Sequence, residues 1–322
     1  MLQINTIHKT NNFGDIIILE SLRDKNNKII YKCKFLNTNN ICYRGEFDIR
    51  KGSIVDSKYE EESFISKIYP QKCGDDLKIV KKTDIKYKSN SYLYECEFQK
   101  YPCKVLAYKN HILQGQVYNY LYPSVCNKGY LGIGVYNKSI YPNIYNIWYN
   151  ILSRCYNKKD KNYKNYGIRG IIVCKKWLNF QNFCQWYLNE KEKYYKNYDG
   201  ELDLDKDILS NIKHLENKIY SPNTCLLIPK ILNIVLAGDN LKCGVYYKKN
   251  KFKIDYGLVK YFNTFKEAKL EYAKNKKILW EIEIAKYTIS EEIKKILLQY
   301  DFSWSWIWEN MTEEEIINRY YK

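Results

Sequence analysis

Asp205-Lys206-Asp207 places two carboxylates around an ammonium inside an otherwise apolar run, Leu204 to Ile208. Read as a strand, the run puts Asp205 and Asp207 on one face, because strand side chains alternate. A carboxylate on that face can take a proton from water, so Asp207 is a candidate general base. Lys206 is a poor one. Its ordinary pKa of about 10.4 keeps it protonated at neutral pH, and carboxylates on both sides favour the charged form. Upstream, Arg154 and Arg169, two of the chain's six arginines, edge a loop rich in Tyr, Lys and Gly. The chain otherwise draws its positive charge from lysine, so arginine here points to geometry. A guanidinium grips phosphate through two parallel N–H bonds. The competing use is a structural pair with Asp205 or Asp207. His214 is the one histidine nearby, in a polar loop. Cys155, Cys174, Cys184 and Cys225 fall in the same stretch and could share a metal. The eleven cysteines are odd in number and never spaced C-x-x-C. That argues against a disulfide scaffold and a zinc ribbon, so buried core thiols are expected and structural zinc is not.

The elements that must position these residues follow from periodicity. Ile147, Trp148, Ile151 and Leu152 recur at helical spacing, which predicts a helix over 143–157. Asn179 to Leu188 reads as a second helix, packed by Phe180, Phe183 and Trp186. A charge-rich loop follows over 189–200, then a strand from Leu202 to Ile208. Lys218–Tyr220 and Cys225–Ile228 read as short strands around the Ser221-Pro222 turn. Pro229 is expected to open a helix carrying Asn233. Gly132 and Gly134 lack the Lys-Ser/Thr of a phosphate loop, and they read as a turn passing close to the core.

The first 125 residues repeat. Tyr31-Lys32-Cys33-Lys34-Phe35 is answered by Tyr94-Glu95-Cys96-Glu97-Phe98, Gly14-Asp15 by Gly74-Asp75, and Gly52 through Asp56 by Gly115 through Asn119. Cys33 to Gly52 and Cys96 to Gly115 both span nineteen residues, which marks a duplication. Strands are expected over Asp15–Leu22, Lys28–Leu36 and Ile41–Ile49. In the second copy they are expected over Leu77–Lys82, Ser91–Phe98 and Cys103–Tyr108. Two small bent β-modules, as open barrels, fit the pattern.

Further on, Gly244–Lys249, Lys251–Tyr256 and Leu258–Phe262 read as three strands turned at Asn250 and Gly257. Asn263-Thr264 caps a helix with Glu267 in its first turn. Beyond Ile278 the chain reads as helical, with starts at Ser290 and at Thr312-x-x-Glu315, a capping box. Trp304, Trp306 and Trp308 alternate between those helices, more suited to packing than to stacking bases.

At 322 residues the chain can hold two to four small domains, and its formal net charge of +17 favours a polyanionic partner, most simply nucleic acid. No charged-then-apolar leader precedes Gly14 and no apolar run nears membrane length, so an intracellular, soluble protein with no membrane partner is expected.

Several motifs together resemble a known family. They are Tyr145-Asn146-Ile147-Trp148, Arg154-Cys155-Tyr156, Tyr166-Gly167 with Arg169-Gly170-Ile171, Val173-Cys174 with Trp177, Leu204 to Ile208, and Tyr220-Ser221-Pro222 with Thr224-Cys225. Ordered over nearly ninety residues, ending at Asn233, they are similar to phage-encoded HNH-type, homing-endonuclease-like nucleases. The resemblance implies a two-stranded ribbon and a helix clamped on one divalent ion, Mg²⁺ or Mn²⁺. Asp205 matches the first metal-ligand position and Asn233 the ligand on the helix. Thr224 stands where an asparagine braces the loop, and Lys206 where the catalytic histidine normally stands. Similar proteins carry one β-module before segments matching Pro123-Ser124-Val125 and Gly129-Tyr130-Leu131-Gly132, so the duplication is a departure. Gly244-Val245-Tyr246-Tyr247-Lys248-Lys249 and Lys260 through Ala268 resemble the APETALA-type DNA-binding domain. That resemblance implies DNA contacts from Tyr246, Tyr247, Lys248, Lys249, Lys251, Lys253 and Lys260. Lysine and tyrosine stand where the plant proteins favour arginine and tryptophan, which implies phosphate contacts more than base contacts.

The expected architecture is multidomain α+β: β-modules at 1–62 and 63–125, an HNH-like domain at 126–238, and a DNA-binding sheet with a helical tail at 239–322. The expected function is metal-dependent cleavage or nicking of double-stranded DNA. The alternatives are a DNA-binding protein with a weakened site on the same scaffold, and a phage factor acting through protein contacts.

Overall fold

A computed structural model describes residues 1–86, 91–216, 218–237, 244–256, 258–305 and 309–321. Helices and several small sheets build a multidomain α+β fold divided into two compact units, Met1–Tyr122 and Pro123–Lys322. No described helix is long and apolar enough to cross a membrane.

The first unit contains two four-stranded antiparallel sheets of the same design. β1 (Ile7–Lys9), β2 (Asp15–Arg23), β3 (Ile29–Phe35) and β4 (Ile41–Gly45) lie side by side in chain order, followed by α1 (Glu46–Lys51) and α2 (Ser57–Ile65). β5 (Ile68–Pro70), β6 (Asp76–Lys86), β7 (Tyr92–Phe98) and β8 (Lys104–Tyr108) repeat that order, with α3 (Lys109–Leu113) after them. Even the irregularities repeat. A bulge interrupts β2 between Ile18 and Glu20, and another interrupts β6 between Ile79 and Lys81. Cys33 lies opposite Ile18, and Cys96 opposite Ile79. Gly52 and Gly115 both have positive φ, 68° and 65°. Their carbonyls accept from Asn11 N–H and Lys72 N–H, both at 2.9 Å. Alternation buries Tyr31, Cys33 and Phe35 in one core, and Tyr94, Cys96 and Phe98 in the other.

The third strand of the first copy ends earlier than Ile49, because Glu46–Lys51 is helical and buries Ile49. The three-residue edge strands β1 and β5 and the helices were not foreseen. Both sheets are open, with no described pairing between their first and last strands. A buried acid fastens each β3–β4 type connection. Asp56 caps α2 and accepts from the Thr38 hydroxyl and the Asn40 amide, the latter at 2.8 Å. In the second copy, Asn119 donates to Asp75 at 2.8 Å and to Tyr101 O at 2.9 Å.

The second unit packs α4 (Pro142–Tyr156) and α5 (Phe180–Tyr195) with β9 (Ile172–Val173), β10 (Leu202–Asp205), α6 (Ile208–Ile212), β11 (Ile219–Tyr220), β12 (Leu226–Pro229) and α7 (Lys230–Ala237). Trp148, Trp177, Phe180 and Phe183 are fully buried at its centre, and Trp148 Nε1 donates to Trp177 O at 2.6 Å. The approach to this core is tight. A Cβ on Gly132, whose φ is 73°, would come within 2.1 Å of Asn179 Oδ1, so a larger residue would have to displace the side chain that caps α5.

β13 (Val245–Lys248), β14 (Lys251–Tyr256) and β15 (Leu258–Phe262) form an antiparallel sheet backed by α8 (Phe265–Ala285). α9 (Glu291–Leu297) and α10 (Glu313–Tyr320) complete the unit. The capping boxes Thr264–Glu267 and Thr312–Glu315 form. α8 gives Phe265, Ala268 and Tyr272 to the sheet's core, but Ala273, Trp280 and Ile284 to the central one. Ile293 and Leu297 of α9 join the central core, whereas Ile316 of α10 joins the sheet's. Trp304 stacks on His214, centroids 4.6 Å apart. Cys243, Gly257, Trp306 and Trp308 lie outside the described residues.

Candidate functional site

The ribbon β10–β12 is antiparallel, with Leu202 opposite Pro229 and Asp205 opposite Leu226. α7 leaves directly from the end of β12, so Pro229 closes a strand rather than opening the helix. Along β10, Leu202 and Leu204 are buried while Asp203 and Asp205 are half-buried on the other face. The expected strand does not continue to Ile208. Asp207 sits at the N-terminus of α6 in helical conformation, so strand alternation no longer aligns it with Asp205. The carboxylate sharing that face is Asp203, about 6.8 Å along the strand. Its signal was present in the Leu-Asp-Leu-Asp alternation of 202–205.

Asn233 is where this matters most. α7 starts beside the Leu202 end of the ribbon, so its first turn meets Asp203 before Asp205. The Asn233 amide donates to Asp203 Oδ2 at 3.1 Å, and among the described residues no hydrogen bond joins it to Asp205. Donation through Nδ2 leaves the Asn233 carbonyl oxygen for another partner.

Asp205 turns the chain out of the strand. Its Oδ1 accepts from Asp207 N–H at 2.8 Å and Ile208 N–H at 2.7 Å. Burial, then the Asp207 carboxylate, pushes its pKa up to about 6, against the pull of those two N–H groups and of Lys206. A carboxylate desolvated in this way attracts a proton or a cation strongly. Lys206 is buried, its ammonium paired with Asp207 and lying 5.9 Å from the Tyr166 ring centre. Thr224 braces the loop before β12: its hydroxyl donates to Ile219 O at 2.7 Å and accepts from Ser221 N–H at 3.1 Å.

Arg154, in the last turn of α4, lies over Tyr166 at 5.0 Å and Tyr220 at 5.3 Å. The two rings stack, 23° from parallel. Burial opposes the guanidinium's charge, but the phenols of Tyr220 and Tyr166 offset this and hold its pKa above the ordinary value. Among the described residues Arg154 makes no ion pair, although its charge helps lower the pKa of Asp160, so the structural pair with Asp205 or Asp207 does not form. Tyr166 therefore carries Arg154 and Lys206 together, beside the Asp205–Asp207 turn. Tyr166 and Tyr220, not charged residues, were the organising groups that charge-based reading passed over. Arg169 is exposed beside Gly170 and makes no described contact with this group. His214 pairs with Asp301 at 3.8 Å and is occupied by Trp304. Among the described residues, no three His, Cys, Asp or Glu side chains gather as a metal set. Asp203, Asp205 and the Asn233 carbonyl nonetheless supply hard oxygen donors of the kind Mg²⁺ uses, which needs only one or two carboxylates beside water and phosphate.

The β13–β15 sheet divides the expected DNA-contact residues by face. Tyr246 pairs with Lys253, and Lys253 with Tyr261, in a row across the outer face. Tyr246 and Tyr261 are more than half exposed. Lys248 and Lys251 pair on the same face, joined by Lys249-Asn250 with φ of 53° and 57°, the left-handed pair of a tight type I′ hairpin. Tyr247 points the other way, against Phe252 and Tyr321. Lys260, opposite Ile254, also turns toward α8 and is salt-bridged to Glu271. Lys253 is paired with Asp255 at 3.0 Å. Lys248, Lys249 and Lys251 carry no ion pair among the described residues.

No protein-family model, no curated protein and no solved structure matches this chain.

Proposed function

We propose that the chain binds duplex DNA and hydrolyses its phosphodiester bonds, nicking or cutting, with one Mg²⁺ or Mn²⁺ at the ribbon. The observation that carries this reading is the convergence at β10. Asp203 and Asp205 share one face of β10, with the Asn233 amide on Asp203. The Arg154 guanidinium and the Lys206 ammonium lie 5.0 and 5.9 Å from the Tyr166 ring centre, the guanidinium with no ion pair among the described residues. Asp205 and Asp203, with the Asn233 carbonyl, would hold the ion. When bound, the ion polarises the phosphate and stabilises the leaving oxygen. Arg154, held against the Tyr166 and Tyr220 rings, offers its donors to a non-bridging phosphate oxygen. Lys206, paired with Asp207, places a positive charge beside the ribbon. The hairpin lysines 248, 249 and 251 hold the backbone of the duplex, and Tyr246 and Tyr261 flank them.

The Lys206–Asp207 pair favours a second reading, DNA binding without cleavage, because it occupies the Asp207 carboxylate, the candidate for activating water. Supercoiled plasmid with Mg²⁺ or Mn²⁺ separates the two. On the first reading the protein nicks it, chelator stops the nicking, and Asp203→Ala or Asp205→Ala abolishes it with duplex binding retained. Lys206→His, which supplies an ordinary base, should raise the rate. Duplex binding with no nicking by either wild type or Lys206→His would leave the second reading. Absence of duplex binding would overturn both.

A further inference from the structure

We propose that Cys33 and Cys42 form a dithiol redox site that a low-molecular-weight disulfide converts to a cross-strand disulfide. The site lies in the first unit and is independent of the ribbon chemistry. Cys33 on β3 is directly opposite Cys42 on β4. Phe35 N–H donates to Asn40 O at 2.8 Å. Opposite pairs alternate between bonded and non-bonded types, so 33/42, two steps from 35/40, is again a bonded pair with Cα atoms about 5.5 Å apart. That separation is within the span a disulfide bridges. Opposite residues point to the same face, and both side chains belong to the same core, Cys33 fully buried and Cys42 at its margin. β4 is the edge strand of its sheet, so Cys42 is the sulfur a solute can reach.

The two thiols are unequal. The interaction between them lowers the pKa of Cys42 and, with burial, raises that of Cys33; Arg44 lowers both. Cys42 is therefore the attacking thiolate. It displaces one thiol from oxidised glutathione and becomes a mixed disulfide. Cys33 then attacks the Cys42 sulfur and expels the second glutathione. Two protein thiols lose two electrons and two protons, and one glutathione disulfide becomes two glutathione thiols.

The duplication supplies an internal control. Cys96 occupies the place of Cys33, and its thiol bonds Tyr94 O as the Cys33 thiol bonds Tyr31 O, yet its opposite residue is Val105. Cys96 has no partner thiol across the strands.

The test is peptide mapping of the full-length protein after incubation with oxidised glutathione and quenching by alkylation. The expected product is a Cys33–Cys42 linked peptide, reversed by dithiothreitol, with Cys96 still alkylated. Cys33→Ser should trap glutathione on Cys42, whereas Cys42→Ser should leave Cys33 unmodified. The proposal is overturned if no linked peptide forms under conditions that oxidise a control dithiol peptide. Oxidation of Cys96 to the same extent as Cys33 would overturn it equally, as would adduct accumulating on Cys33 in Cys42→Ser. Should Cys33→Ser fail to fold, the wild-type map decides alone.

Discussion

Neutralising the hairpin tip tests the DNA face most sharply, because one set of lysines on the sheet is without described ion pairs while the other is already paired with carboxylates. In the first variant, Lys248→Gln, Lys249→Asn and Lys251→Gln remove the three lysines without described ion pairs. Asparagine is chosen at 249 because it tolerates the left-handed backbone there. In the second, Lys253→Gln and Lys260→Gln remove the two held by Asp255 and Glu271. Each phosphate neutralised contributes about 0.9 to the slope of log affinity against log salt. Three contacts therefore sum to about 2.7, and between 50 and 200 mM salt that is roughly a 40-fold loss of affinity that the first variant no longer suffers. The second variant should change the slope by less than about 1, since its charges are balanced before DNA arrives. Fluorescence anisotropy of a labelled duplex titrated at several NaCl concentrations reads both slopes. An unchanged slope in the first variant, or equal flattening in the two, would refute the assignment of the outer face.

Three further outcomes concern the scaffold. Burial alone would raise the Asp56 pKa, but bonds from Thr38, Asn40 and the Tyr59 and Lys58 N–H groups outweigh it and hold the pKa below the ordinary value. Its stabilisation is thus complete above about pH 4, the unfolded value, and is lost as pH falls through the lower folded value; Asp56→Asn should flatten that acid limb in chemical denaturation, and an unchanged limb would contradict the capping role. Gly52→Ala and Gly115→Ala should each cost about 1–2 kcal/mol, because an L side chain is strained at positive φ; urea unfolding showing a cost at only one would break the equivalence of the two sheets. Trp280 is fully buried and donates to Leu297 O at 2.8 Å, so Trp280→Ala should cost about 3–5 kcal/mol by the same measurement, and a loss below about 1 would show that the C-terminal helices stabilise the central core little.

Local chemistry was legible where it is decided locally. Thr264 with Glu267, Thr312 with Glu315, and Ser290 cap helices as their spacing requires, and the period of Ile147, Trp148, Ile151 and Leu152 defines α4 to within a residue. The duplication was legible from the Cys-to-Gly spacing, because a strand, a bulge and a left-handed glycine recur together. What escaped depended on where elements end. A strand stopped at Asp205 instead of Ile208 exchanges Asp207 for Asp203 as the facing carboxylate. A helix that starts at Lys230 brings Asn233 to Asp203. The resemblance groups Lys260 and Tyr247 with the DNA-contact residues, and only register assigns them to the inner face. Pairing such as Arg154 with two tyrosine rings lies between segments distant in sequence, and no local pattern announces it.

α8 joins two cores without a hinge. Its 21 residues span about 31 Å as one helix, with sheet residues at one end and central-core residues at the other. Such a rod works as a gauge. The offset between the lysine hairpin and the ribbon is set by a whole number of helical residues, and so is their angular phase. One residue inserted between Tyr272 and Trp280 would lengthen the rod by about 1.5 Å but rotate one end against the other by about 100°. Whatever the two faces hold, they hold at one spacing and in one orientation, and a flexible linker would have fixed neither.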